Sequence, residues 1–226
     1  MSEIAKPLIF AADVSPLAEP TLYRAACALV TPERRARAER FHFAKDRQLC
    51  LGAGLLLRCG LRTLGVTPPE SLVLAPGGKP QLPGGKVQFN LSHSGVWAIC
   101  ALGDTELGCD VERISPTDLK AARRFCPSER AAILAEPSEE ARRKLFYRFW
   151  TLKESFLKAT GQGMALPLDS FEIQLEPELR LRQSADPRQF SLREFDELPG
   201  YCCALCTAGE CGAAALRVLE LRELLE

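Results

Sequence analysis

Apolar and polar residues recur along this chain with two periods, and the changes of period mark its elements. Apolar positions at helical spacing run through "DRQLCLGAGLLLRCGLRTLG" and stop at Gly65. The segment before it, "TPERRARAERF", opens with Thr31 ahead of Pro32 and Glu33, a helix-start signal. The first third therefore reads as mostly helical. Turns rich in proline and glycine follow in "PPESLVLAPGGKPQLPGGK", and then two strand patterns, "VQFNLSHS" and "VWAICALG". A further strand, "LGCDVERI", opens the second half. Helices are expected at "SPTDLKAARRF", at "PSERAAIL" with Ser128 as N-cap, and over residues 139–160. "FEIQL", "YCCALCTA" and "ALRVL" read as strands, and "ELRELLE" as a short terminal helix. The pattern predicts an α+β protein of two halves, residues 1–105 and 106–226. Each half is helices followed by a small antiparallel meander, with a cleft between the halves.

Composition narrows the function classes. At 226 residues the chain has ample length for a core. Its 29 basic and 29 acidic residues cancel, so no overall field draws it to nucleic acid or membrane. An anionic ligand must then be held by a local group of basic side chains. The start, "MSEIAKPLIFAADV", lacks a basic head followed by a useful apolar run, and no apolar stretch approaches the ~20 residues of a membrane span. A cytoplasmic protein is the expectation. The ten cysteines lie mostly inside apolar runs, where a thiol behaves as a small hydrophobe. "YCCALCTAGEC" holds one CxxC, Cys203 and Cys206, but no second CxxC completes a zinc site, and the only histidines are His42 and His93. An apolar strand ending at Gly209 is the better reading there.

Charged groups placed among apolar ones point to chemistry. On a strand, Asp110 and Glu112 of "GCDVE" share one face. Two neighbouring carboxylates repel and need a cation unless they sit on a solvated strand face, an equally good reading of these two alone. In "FYRFWTLKESFLKATGQG", Trp150, Glu154 and Lys158 recur at i, i+4 on one helix face, flanked by Phe149, Lys153 and Phe156. An acid and two amines among aromatics suggest a cleft wall. With Asp110 and Glu112, Glu154 would complete an oxygen site of the kind Mg²⁺ takes. Gly77-Gly78-Lys79 is not a nucleotide-hydrolase phosphate loop, because no Ser or Thr follows Lys79 and Pro80 blocks a helix. It reads as a turn delivering one lysine. Ser92 and His93 offer a hydroxyl and an imidazole to a phosphate. Arg34 and Arg37 lie on a basic helix face that solvation alone would also explain.

Taken in order, "GGKP", "FNLSHS", "LGCDVE" and "FWTLKESFLKATGQGMALPLDSFEI" resemble the surfactin-type (Sfp-type) 4′-phosphopantetheinyl transferases. The last two segments carry the signature, G-x-D and then W-[ST]-x-K-E-[SA]-x-x-K. The resemblance implies a pseudo-dimer of two similar α+β halves with the active site in the cleft between them. It implies Mg²⁺-dependent transfer of the phosphopantetheine arm of coenzyme A to a serine of an apo acyl or peptidyl carrier protein, releasing adenosine 3′,5′-bisphosphate. Mn²⁺ is an alternative ion. By motif position, Asp110, Glu112 and Glu154 would hold the metal, and Glu154 would also be the candidate base. Lys158 would stabilise the leaving bisphosphate, and Lys153 would contact phosphate nearby. Lys79, Ser92 and His93 match residues that cradle the nucleotide and its phosphates, and Arg34 and Arg37 fall where relatives carry lysines near the 3′-phosphate. Cys50 lies where relatives place a hydroxyl, and Cys109 is assigned to packing. The first half would serve the nucleotide; the second would carry the metal site, the catalytic helix and a carrier-docking surface over residues 114–150. A monomer with no nucleic-acid or membrane partner is expected. The rivals are a non-catalytic relative that binds coenzyme A or a carrier, and a zinc or redox protein built on Cys202, Cys203, Cys206 and Cys211.

Overall fold

A computed structural model describes residues 6–69, 71–75, 78–116 and 119–226. Gly77 of the "GGKP" turn, and Thr117 and Asp118 of the helix expected at 115–125, lie outside the described residues. Through the first half the elements are β1 (Leu8–Asp13), α1 (Pro20–Leu29), α2 (Pro32–Glu39), α3 (Ala44–Thr63), β2 (Val73–Leu74), β3 (Pro80–Gln81), β4 (Gln88–Ser94) and β5 (Trp97–Gly103). Then come β6 (Leu107–Arg113), α4 (Pro127–Ala135), α5 (Glu139–Thr160), β7 (Glu172–Gln174), β8 (Arg180–Arg182), β9 (Phe190–Phe195), β10 (Tyr201–Ala208), β11 (Leu216–Val218) and α6 (Leu221–Leu225). The chain is mixed α+β and divides into two units, Met1–Asp104 with Ala213–Glu226, and Thr105–Gly212.

In the first unit a four-stranded sheet has the order β11-β1-β5-β4. β1 runs antiparallel to β5 and parallel to β11. The helical reading of the first third omitted β1. The run "LIFAAD" is buried along nearly its whole length, so it lacks the alternation that reveals a one-sided strand. β11 and α6, assigned by pattern to the second half, return to the first unit, where Leu219, Leu221 and Leu224 join the core of α3 and the sheet. Thr31 caps α2 as its side chain accepts from the Arg34 amide at 3.2 Å.

In the second unit β6, β10 and β9 form an antiparallel sheet, with α5 packed against β6 and β10. α5 has unambiguous ends. Ser138 accepts from the Ala141 amide, Glu139 and Glu140 occupy the first turn, Lys158 the last, and Gly161 stops the helix at φ 71°. The helix expected at 115–125 is a 3₁₀ turn, Leu119–Arg124. α4 is capped by Cys126 rather than Ser128, because Pro127 takes the first helical position and Glu129 reaches back to the Cys126 amide.

Candidate active site on β6 and α5

The geometry begins at Gly108. On the strand Gly108, Asp110 and Glu112 face one side, and α5 crosses that side with its backbone directly over Gly108. A Cβ there would lie 2.1 Å from the Ser155 carbonyl oxygen and 2.4 Å from the Ala159 amide nitrogen. Only glycine permits this approach. Ser155 suits the same contact: its hydroxyl turns back to the Leu152 carbonyl at 2.7 Å and leaves the helix surface thin. Glu154 and Lys158, next to the two contact residues, are thereby carried beside Asp110.

The pairing is direct. Lys158 Nζ donates to Asp110 Oδ1 at 2.7 Å and to the Cys109 carbonyl at 3.2 Å. Asp110 is 3% exposed, whereas the Lys158 side chain keeps about a quarter of its surface. Burial alone would pull the Lys158 ammonium down, but Asp110 and the other acceptors around it outweigh that and hold it above its ordinary value. Glu154 is pushed up, first by burial and then by the Asp110 charge, against the opposing pull of Lys158 and Arg124. Glu112 lies two residues along β6, half-buried, with Cys202 as its cross-strand partner.

These residues fit a hard divalent cation by donor chemistry. Three carboxylates against one ammonium leave a formal charge of −2, and all the donors are oxygen. A buried acid raised by a second acid is relieved by a cation placed between them. Among the described residues, however, no three His, Cys, Asp or Glu side chains already stand as a group able to hold a metal ion. In this arrangement the Lys158 ammonium takes one Asp110 oxygen. The cysteines are free thiols, all but Cys27 and Cys59 buried, and Cys202, Cys203 and Cys206 are strand residues of β10.

Lys153 corrects the sequence expectation. It does not face a phosphate but is fully buried, with Nζ 2.9 Å from Glu129 Oε1 and donating to the carbonyls of Leu168 at 2.8 Å and Phe171 at 2.7 Å. The Phe171 ring lies 4.3 Å from it. All three ammonium protons are committed. Burial lowers Lys153 and raises Glu129, each opposed by its partner. Glu129 also accepts from the Ile173 amide at 2.7 Å, so this pair ties α5, α4 and the start of β7 together. Nothing had singled out Glu129, although its place three residues after Cys126, with Pro127 between, is a capping pattern. Gly108 had entered only as the glycine of G-x-D, and Arg124 only as one residue of the docking surface expected over 114–150.

The remaining expected residues belong to the first unit. Arg34 is half-buried in the first turn of α2, with the Cys50 thiol 3.9 Å from its carbonyl, and Arg37 is exposed one turn on. Lys79 is half-buried in a turn closed by the Ala75 amide donating to its carbonyl at 2.9 Å. Ser92 is buried and His93 exposed; as neighbours on β4, paired with Ile99 and Ala98, they are directed to opposite faces.

Two family models match the chain: "4′-phosphopantetheinyl transferase, N-terminal" over residues 17–104 and "4′-phosphopantetheinyl transferase superfamily" over residues 106–206. Their limits meet where the two units meet. The 4′-phosphopantetheinyl transferase Sfp of Bacillus subtilis (strain 168) is 31% identical over 203 residues, covering 87% of this chain and 90% of that protein. The 4′-phosphopantetheinyl transferase psf-1 of Bacillus pumilus is 33% identical over 205 residues, 87% and 86% of the two chains. The 4′-phosphopantetheinyl transferase HetI of a Nostoc strain is 39% identical over 160 residues, 66% and 67% of the two.

Proposed function

The chain belongs to the surfactin-type (Sfp-type) 4′-phosphopantetheinyl transferases, and from that premise we propose how it acts. Its reaction is transfer of the phosphopantetheine arm of coenzyme A to a serine hydroxyl of an apo acyl or peptidyl carrier protein. The serine oxygen forms a bond to the arm-bearing phosphorus of the diphosphate as the bond to adenosine 3′,5′-bisphosphate breaks. The serine proton passes to Glu154, and the leaving oxygen keeps its electron pair, which Lys158 neutralises. Catalysis of this kind rests on positioning and charge. Mg²⁺, held by Asp110 and Glu154 with Glu112 beside them, would supply charge neutralisation at the diphosphate. Arg34, Arg37, Lys79, Ser92 and His93 of the first unit serve the nucleotide and its phosphates.

The observation that carries this reading is the group formed where α5 rests on Gly108: Asp110 bonded to Lys158 at 2.7 Å, with Glu154 responding to both charges. A buried acid, an ammonium and a second acid of raised affinity for protons form a set suited to accept one proton while stabilising a departing phosphate.

Carrier docking falls on a smaller surface than residues 114–150. Phe146, Tyr147 and Phe149 of α5 pack in the core. The surface that suits it is a groove of about 470 Å³ between the 3₁₀ turn and α4, lined by Leu119, Lys120, Arg123, Arg130 and Leu134. Leu134 is 68% exposed there. Apolar floor and basic rim suit an acidic amphipathic helix of the carrier. The enzyme works as a cytoplasmic monomer; no helix of the described residues is long and apolar enough to cross a membrane.

The test is a mass measurement on an apo-carrier incubated with coenzyme A, Mg²⁺ and the enzyme. The carrier gains the phosphopantetheine mass with the native chain and does not when EDTA is added. Asp110→Asn or Glu154→Gln lowers the rate by at least ~10²-fold with an unchanged circular dichroism spectrum. Near-normal turnover by either variant would remove these acids from the site, and a native chain that modifies no carrier would favour a binding protein of the same fold.

A further inference from the structure

We propose that Arg124 is a carrier-binding residue, which registers the accepting serine against Glu154 by gripping an acidic side chain of the carrier close to that serine. The assignment rests on the transfer reaction above and extends it to a residue that no motif marks.

Its place in the fold is the first argument. Arg124 ends the 3₁₀ turn, and the next residue, Phe125, is 1% exposed. The Phe125 ring stacks on Phe146 at 5.5 Å and lies 6.2 Å from Trp150 on α5. Trp150 and Glu154 share a helix face one turn apart. The backbone at Arg124 is thus pinned by its neighbour next to the turn that presents Glu154, and its charge is felt at that carboxyl. On its other side, Lys120 and Arg123 line the docking groove. Arg124 therefore stands where the chain passes from the groove to the acid group, the path a docked carrier must follow to deliver a serine.

Its freedom is the second argument. Arg148, Arg180 and Arg188 are engaged by Glu194, Glu178 and Asp186, whereas Arg124 is exposed and forms no ion pair among the described residues. A guanidinium offers a planar fork that matches a carboxylate. Lys158 and the basic residues of the first unit already serve the phosphates. The carrier is the partner left for a cation on the groove side.

Steady-state kinetics on the full chain test this, with an apo-carrier that the native enzyme modifies. Arg124→Ala raises KM for the carrier roughly tenfold, equivalent to one paired charge, and leaves KM for coenzyme A and the urea midpoint unchanged. Arg124→Lys recovers part of the loss, and the salt dependence of kcat/KM for the carrier becomes shallower in the alanine variant. A carrier KM within twofold of native would overturn the assignment. So would a loss confined to kcat and the coenzyme A KM, which would place the guanidinium on the diphosphate. If the native chain modifies no carrier, the transfer reading falls and this assignment with it; an active native chain with an indifferent Arg124→Ala removes Arg124 alone.

Discussion

Glu154 bears two penalties in the ligand-free chain, withdrawal from water and the nearby charge of Asp110. A carboxyl raised in the folded state favours its neutral form. Its contribution to folding is complete below the unfolded value of ~4.3 and is lost as pH rises through the folded value. Glu154→Gln removes that ionisation cost. The variant should melt above the native chain at pH 7 to 8, and the gain should vanish toward pH 4. Differential scanning fluorimetry across pH reads this directly. A variant equal to native at every pH would show that the carboxyl ionises freely. The sequence made Glu154 and Lys158 legible because a charged pair at i, i+4 beside Trp150 is conspicuous. It misplaced Lys153, one residue from Glu154, because which side of α5 faces the core is decided by Glu129, Leu168 and Phe171, which lie 15 or more positions away and reach it only in the fold.

At the scale of elements, two facts bring Glu154 and Lys158 beside Asp110: the strand alternation of β6 and the thinness of α5 at Ser155. Asp110 and Glu112 were assigned to one face from spacing alone, and β6 bears that out by its register with β10. The partner helix could not be placed this way, since the closeness at Gly108 is a tertiary contact. Gly108→Ala tests it. A Cβ 2.1 Å from a carbonyl oxygen must move a backbone, not a flexible side chain, so α5 should shift away from β6. Overpacking costs about 1–3 kcal/mol, and transfer should fall by a larger factor than the residual folded fraction explains. If activity per folded molecule equals that of the native chain, the helix position at Gly108 does not matter to the chemistry. The proposed docking groove was legible only as composition: basic and apolar residues were read along the whole of 114–150, whereas the fold buries Phe146, Tyr147 and Phe149 in the core and gathers Leu119, Lys120, Arg123, Arg130 and Leu134 around one groove.

At the scale of the molecule, the order of the chain and the order of its units differ. The sequence pattern suggested two contiguous halves, and β11 and α6 depart from that by returning to the first unit after the second is complete. A terminal helix of five residues carries little signal of its own; what fixes it is the core it completes, with Leu219, Leu221 and Leu224 at 7%, 8% and 0% exposure. Burying three leucines contributes about 5–9 kcal/mol at 1.5–3 kcal/mol each, as much as the whole net stability of many domains. A fragment of residues 1–104 should therefore fail to unfold cooperatively in urea. The same fragment with residues 213–226 joined through a flexible glycine-serine linker should regain a sigmoidal transition, because the parallel pairing of β11 with β1 needs only the segment and not the intervening unit. A cooperative transition in the shorter fragment would mean that α3 and its sheet form a sufficient core without the terminus. Residues 213–226 would then be a surface attachment of the first unit and not part of what holds it together.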